Sequence, residues 1–123
     1  MILVIFGGAG DLAQRKLLPA LYNLRVDGLL PAPFAVVGIG RKPFDDQQYR
    51  DFARSGIEKF SRRPLDTSTW ETFARAVHFV RGDLEDSSTY STLKTRLEEL
   101  DRQQGLRSSY VHLYYLAVPP AVF

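Results

Sequence analysis

The run Val4-Ile5-Phe6-Gly7-Gly8-Ala9-Gly10-Asp11-Leu12-Ala13 constrains this chain more than any other feature, and it starts almost at the first residue. Ile2 to Phe6 is wholly apolar, as suits a buried parallel strand. The strand breaks on a glycine cluster, and a helical pattern follows at once. Strand, Gly-rich turn and helix N-terminus together form the arrangement that cradles a pyrophosphate. The N–H groups that open a helix lack intrahelical acceptors, and glycines let a bulky anion approach them. The spacing Gly7-x-x-Gly10-x-x-Ala13, with Gly8 in addition, is a relative of G-x-G-x-x-G rather than a full match. Its place in the first βα unit gives it weight. Asp11 is expected to cap the helix or favour its dipole, a backbone-positioning role, since its charge opposes a phosphate.

Strand and helix alternate along the rest of the chain. Helix one is expected from about Asp11 to Asp27, with Leu17, Leu21 and Leu24 on one face at i, i+4 and i+7 and a kink at Pro19. Gly28 closes it. Strand two is Phe34 to Ile39, and helix two runs from about Asp45 to Phe60 with Tyr49, Phe52, Ala53 and Phe60 inward. A short helical turn carries Trp70, Phe73 and Ala74, and strand three is Val77 to Arg81. A third long helix begins near Ser87 and presents Tyr90, Leu93, Leu97 and Leu100. Strand four is Tyr110 to Val118. Strands separated by such helices pair in parallel through right-handed crossovers. The apolar strands two and four call for helices on both sheet faces. The fold expected is α/β, a doubly wound parallel sheet of the Rossmann dinucleotide-binding type with about four strands. It forms one domain over residues 1–123. The stop at Phe123, just after Pro119-Pro120 where another helix is expected, reads as a C-terminal truncation of a larger protein.

The end of strand two chooses the cofactor. An NAD site places an Asp or Glu here to hold the ribose hydroxyls. This chain reads Gly38-Ile39-Gly40-Arg41-Lys42 instead. A guanidinium can bind a 2′-phosphate and stack on adenine at once, so NADP is expected over NAD. Asp83, in Gly82-Asp83-Leu84 at the end of strand three, serves either the adenine amino group or a helix cap or turn. Ala117-Val118-Pro119-Pro120 ends strand four, either as a rigid turn or in contact with the cofactor.

Other chemistries find little support. With no cysteine among 123 residues, thiol catalysis and thiolate metal sites are excluded. His78 and His112 lie in strand patterns, where packing is the better reading. No P-loop pattern occurs. A net charge of +2, with Lys and Arg scattered, argues against nucleic acid as a partner. No stretch approaches the ~20 apolar residues of a membrane span, and Ile2–Phe6 is too short for a signal-peptide core. A cytoplasmic location without membrane partners is expected.

Over Gly7-Gly8-Ala9-Gly10-Asp11-Leu12-Ala13-Gln14-Arg15-Lys16-Leu17-Leu18-Pro19-Ala20-Leu21-Tyr22 the chain resembles the glucose-6-phosphate dehydrogenase family. The family pattern there is G-[AG]-[ST]-G-D-L-A-[KR]-[KR]-K followed by a proline. The resemblance continues through Val37-Gly38-Ile39-Gly40-Arg41 and Tyr114-Tyr115-Leu116-Ala117-Val118-Pro119-Pro120. It implies NADP-dependent oxidation of glucose 6-phosphate to 6-phosphogluconolactone in the pentose phosphate pathway. It also implies that Gly7, Gly8, Ala9, Gly10, Asp11, Leu12, Ala13 and Gln14 form the pyrophosphate loop and that Arg41 holds the 2′-phosphate. Asp83 and Leu84 then lie by the adenine, and Ala117, Val118 and Pro119 border the nicotinamide half. Lys16 matches a lysine that projects toward the sugar phosphate. Ala9 departs from the usual Ser or Thr, and Gln14 from a basic residue.

The family's catalytic His–Asp pair lies beyond Phe123, so no catalytic residue is assigned in this chain, which alone is expected to be inactive and to self-associate through uncovered apolar surface. Two other readings compete. A short-chain-type dehydrogenase/reductase needs a Tyr-x-x-x-Lys pair, and Tyr90 and Lys94 have that spacing but precede strand four instead of following it. A stand-alone NADP-sensing module is opposed by the abrupt end of the chain.

Overall fold

The computed structural model describes residues 1–104 and 112–117. Four parallel strands, β1 (Ile2–Phe6), β2 (Ala35–Gly40), β3 (Val77–Arg81) and β4 (His112–Leu116), lie in the order β3-β2-β1-β4. Between them run a π-wound segment (Ala13–Leu17) that continues into α1 (Leu18–Val26), then α2 (Asp46–Phe60), α3 (Thr67–Ala74) and α4 (Ser87–Gln103). Alternating residues of each strand face opposite layers. Ile5, Val36 and Phe79 pack against Tyr22, Tyr49, Ile57 and Phe73 of α1 to α3. Val4, Val37, Ile39 and Val80 pack against Leu93, Leu97 and Leu100 of α4. The sheet is therefore doubly wound, as the alternation of elements requires.

Aspartates start three of the helices. Asp45 accepts from the Gln48 N–H while the Gln48 side chain accepts from the Asp45 N–H, a complete capping box. Asp66 and Asp86 cap α3 and α4 through the N–H groups of Thr69 and Ser88. Hydrogen bonds from those same groups hold both exposed carboxyls below their ordinary pKa.

The first helix departs from expectation. The irregularity at Pro19 takes the form of the π-wound residues immediately before α1. In α1 Leu24 is exposed, while Leu18, Leu21 and Tyr22 are buried. Phe60, expected inward, is exposed at the last turn of α2 under the Arg15 guanidinium, 5.0 Å from its ring centroid. Tyr90 is also exposed and donates its hydroxyl to the Leu84 carbonyl at 2.9 Å. Both lie at helix ends, where the core layer thins.

Strand β4 differs most. Leu113, Tyr114, Tyr115 and Leu116 are 43–56% exposed rather than covered on both faces. Among the described residues β4 is the outer strand beside β1, and only one flank is paired. His112 Nε2 lies 3.0 Å from Asp101 of α4, and Tyr114 stacks on Phe6. Its expected ends, Tyr110 and Val118, lie outside the described residues.

At the opposite side β3 is the outer strand, and outward backbone groups there need partners. Helix α2 supplies them one turn apart. Asp46 accepts from the Phe79 N–H at 2.9 Å, and Arg50 donates to the Val77 carbonyl at 2.9 Å. Arg96 crosses from α4 to pair with Asp46, and His78 Nδ1 lies 3.2 Å from Arg96 and 3.5 Å from Asp46. His78 thus belongs to a polar seam that joins both helical layers around the sheet edge. Burial is the largest single influence on the Asp46 carboxyl and pushes its pKa up. The contacts from His78, the Phe79 N–H and Arg96 together prevail and hold it well below the usual carboxylate range.

Candidate dinucleotide site

A cleft of about 320 Å³ opens at the C-terminal edge of the sheet. Gly7, Ala9 and Gly10 follow β1; Gly40, Arg41 and Lys42 end β2; Gly82, Asp83, Leu84 and Glu85 follow β3; and Ala117 follows β4. Parallel strands place all four of these turns on one edge, which is why residues more than a hundred positions apart meet there. The ladders extend into the turns: Ala117 N–H donates to the Phe6 carbonyl at 2.7 Å, and Gly82 N–H to Gly40 at 2.8 Å.

The glycine loop is held before any ligand arrives. Gly7 and Gly8 N–H both donate to the Ile39 carbonyl at 2.9 Å, and Gly10 N–H returns to Gly7 at 3.0 Å. Gly7 has φ +79°, a left-handed conformation that favours glycine. The first helical bond runs from Gln14 N–H to the Gly10 carbonyl. The N–H groups of Asp11, Leu12 and Ala13 precede it and have no intrahelical acceptor. Asp11 and Leu12 are exposed, whereas Ala13 is buried.

Not every loop residue faces the cleft. Gly8 is buried behind it, and a Cβ there would lie 2.6 Å from Gly38 Cα. Ala13 is fully buried in the core. Gln14 faces α2, donating to the Phe52 carbonyl at 3.2 Å, and its own carbonyl lies 2.4 Å from where a Gly56 Cβ would sit. Leu12 and Lys16 are exposed and do not line the cleft. Asp11 makes no cap: the Gly10 carbonyl already accepts the first helical bond, so Asp11 stands inside the helix. It pairs instead with Arg15 at 2.7 Å on the surface.

Arg41 is exposed at the cleft rim and has no ion pair among the described residues. Lys42 beside it is held over the rings of Phe44 and Phe52, 5.8 and 5.4 Å from their centroids. Both cations were visible as a pair in the sequence; the aromatic seat of Lys42 was not, because Phe52 comes from the next helix. Asp83 forms a turn, with one carboxylate oxygen accepting from the Glu85 N–H at 3.0 Å and its backbone carbonyl from Thr89 at 2.7 Å. Asp83 thus closes the turn that leads from β3 to α4. Val118 and Pro119 lie outside the described residues.

A parallel sheet with a glycine turn after its central strand and a basic turn after the next defines a dinucleotide-binding domain. Residues 4–123 match the family model described as glucose-6-phosphate dehydrogenase, NAD binding domain, and the chain belongs to that family. It is 39% identical over 122 residues to glucose-6-phosphate 1-dehydrogenase of Chlamydia pneumoniae, covering 99% of this chain and 23% of that protein. With glucose-6-phosphate 1-dehydrogenase 2 of Mycobacterium bovis the identity is 36% over 121 residues, covering 98% and 23%. The crystal structure of the Mycobacterium avium enzyme superposes with a TM-score of 0.81 at 29% identity, covering 99% of this chain and 24% of that one. A glucose-6-phosphate dehydrogenase solved in complex with its substrate glucose-6-phosphate superposes at 0.85 and 27%, covering 99% and 25%. The chain thus spans about a quarter of the length of these relatives. Family membership replaces the short-chain reading, and Tyr90 of that candidate pair is engaged with Leu84. Among the described residues no helix is long and apolar enough to cross a membrane.

Proposed function

We propose that residues 1–123 are the cofactor-binding N-terminal portion of a cytoplasmic, NADP-dependent glucose-6-phosphate dehydrogenase. The observation that carries this reading is the meeting, in one cleft at the sheet edge, of the Gly7, Ala9 and Gly10 turn with the Arg41 guanidinium, which has no ion pair among the described residues. The residues present fit a dinucleotide. The Gly7–Gln14 loop, through the exposed helix start at Asp11 and Leu12, receives the diphosphate, and Gly7 and Gly10 keep the approach clear of side chains. Arg41 takes the 2′-phosphate, with Asp83 and Leu84 beside the adenine. Ala117, Val118 and Pro119 border the nicotinamide half, and Lys16 serves the sugar-phosphate side. A bound nicotinamide would supply the hydride acceptor for oxidation of glucose 6-phosphate at C1 to 6-phosphogluconolactone, the hydroxyl proton leaving to a base that is not assigned to these residues. This stretch contributes binding and orientation to that reaction, and no proton-transferring group is assigned within it.

Calorimetric titration of the chain with NADP and, separately, with NAD tests the reading. NADP is expected to bind at least tenfold tighter, the low end of what one charge-assisted contact supplies. Equal affinities would remove the role given to Arg41, and binding of neither would remove the cofactor site itself.

The exposed apolar face of β4 supports a second property of the isolated chain, self-association. Light scattering is expected to show a mass that grows with concentration. A constant monomer mass up to millimolar concentration would refute it.

A further inference from the structure

Tyr49 is fully buried on α2, behind the cleft rather than in it, and no step of cofactor binding has used it. Its hydroxyl donates to the Gly8 carbonyl at 2.8 Å, while the Gly8 N–H donates to Ile39. Both backbone polar groups of Gly8 are thereby held, one by α2 and one by β2. The hydroxyl fills a slot that two glycines leave open. A Cβ on Gly38 would stand 2.3 Å from it, and a Cβ on Gly8 3.0 Å. Packing alone does not explain this arrangement, because phenylalanine would fill the ring position equally well. The ring lies 4.8 Å from Phe79 and stacks on Phe52 at 5.7 Å, and Phe52 also seats Lys42. Burial pushes the phenol pKa far up, so the hydroxyl stays a donor at any physiological pH.

We infer that Tyr49 is a positioning residue whose hydroxyl locks the glycine loop to α2, so that loop and Arg41–Lys42 turn are preset as one unit for the dinucleotide. Its effect on affinity rests on the cofactor reading above; its effect on the loop does not.

Tyr49→Phe keeps the ring and leaves the Gly8 carbonyl buried without its partner. Amide hydrogen exchange at Gly8 and Gly10 is expected to speed up about tenfold, with Leu97 of α4 unchanged. NADP and NAD are both expected to bind about tenfold more weakly, an even loss that Arg41→Ala does not produce. Unchanged exchange in the loop would overturn the inference. So would an equal rise in the loop and in α4, which would make the hydroxyl a general stabiliser. Should the unsubstituted chain bind neither dinucleotide, the cofactor reading falls, and loop exchange in Tyr49→Phe still decides for or against the lock.

Discussion

Replacing Arg41 by alanine is expected to weaken NADP binding by about tenfold to a hundredfold and to leave NAD binding within about twofold. The guanidinium stands at the rim of the cleft with no ion pair among the described residues, so no internal bond must break before it engages a phosphate. A charge-assisted contact of this kind supplies roughly 1.5–3 kcal/mol, which sets the range. Lys42 cannot take over the role in full, because its ammonium is committed to the faces of Phe44 and Phe52. Arg41→Lys should fall between the two, restoring the charge without the two-pronged fork. Paired calorimetric titrations check this. Equal loss for both cofactors would assign Arg41 to the fold rather than to the 2′-phosphate.

Asp46→Ala is expected to cost about 2–3 kcal/mol of stability at pH 7, read as a lower urea midpoint. The carboxylate is half-buried and serves the Phe79 N–H, Arg96 and His78 together, so its removal strands a backbone donor and a guanidinium at the sheet edge. The sign of the pH dependence follows from the depressed pKa of the folded state. The native carboxyl releases its proton more readily than the unfolded one, whose pKa is about 3.8. Its contribution is complete above that value and is lost progressively as pH falls below about 4. The difference between the original chain and Asp46→Ala should therefore shrink on acidification. A difference that stayed constant from pH 7 to pH 3 would show that the site acts through packing alone. Asp46→Asn, which keeps an acceptor for Phe79, should cost less than alanine.

The elements of the fold were legible because their signals are local. Apolar runs marked β1 and β2, Asp45 marked the start of α2, and Gly28, with φ +70°, marked the end of the first helix. In the first helix Leu21 and Leu24 share a stripe at α spacing, yet Leu24, in the last turn of α1, is exposed while Leu21 is buried, which spacing along the chain does not reveal. At the site, the glycine loop and the basic turn could be read because each is contiguous and its chemistry demands particular residue types. The loop's division of labour could not be read. Which N–H groups are spent on Ile39, and that Gln14 faces α2 instead of the cleft, depends on what stands across from them.

What this sequence determined by itself is therefore most of the list of strands and helices, the position of the glycine turn after β1 and the cation that follows β2. Each depends on residues within a few positions of one another, where backbone sterics and side-chain periodicity act directly. Only the tertiary structure decided that Tyr49 holds Gly8 from 41 residues away. The same is true of Asp46, which reaches Phe79 across 33 positions and Arg96 across 50 to close the sheet edge. Those bonds become possible only after the crossovers have stacked the layers, because the partners share no neighbourhood along the chain.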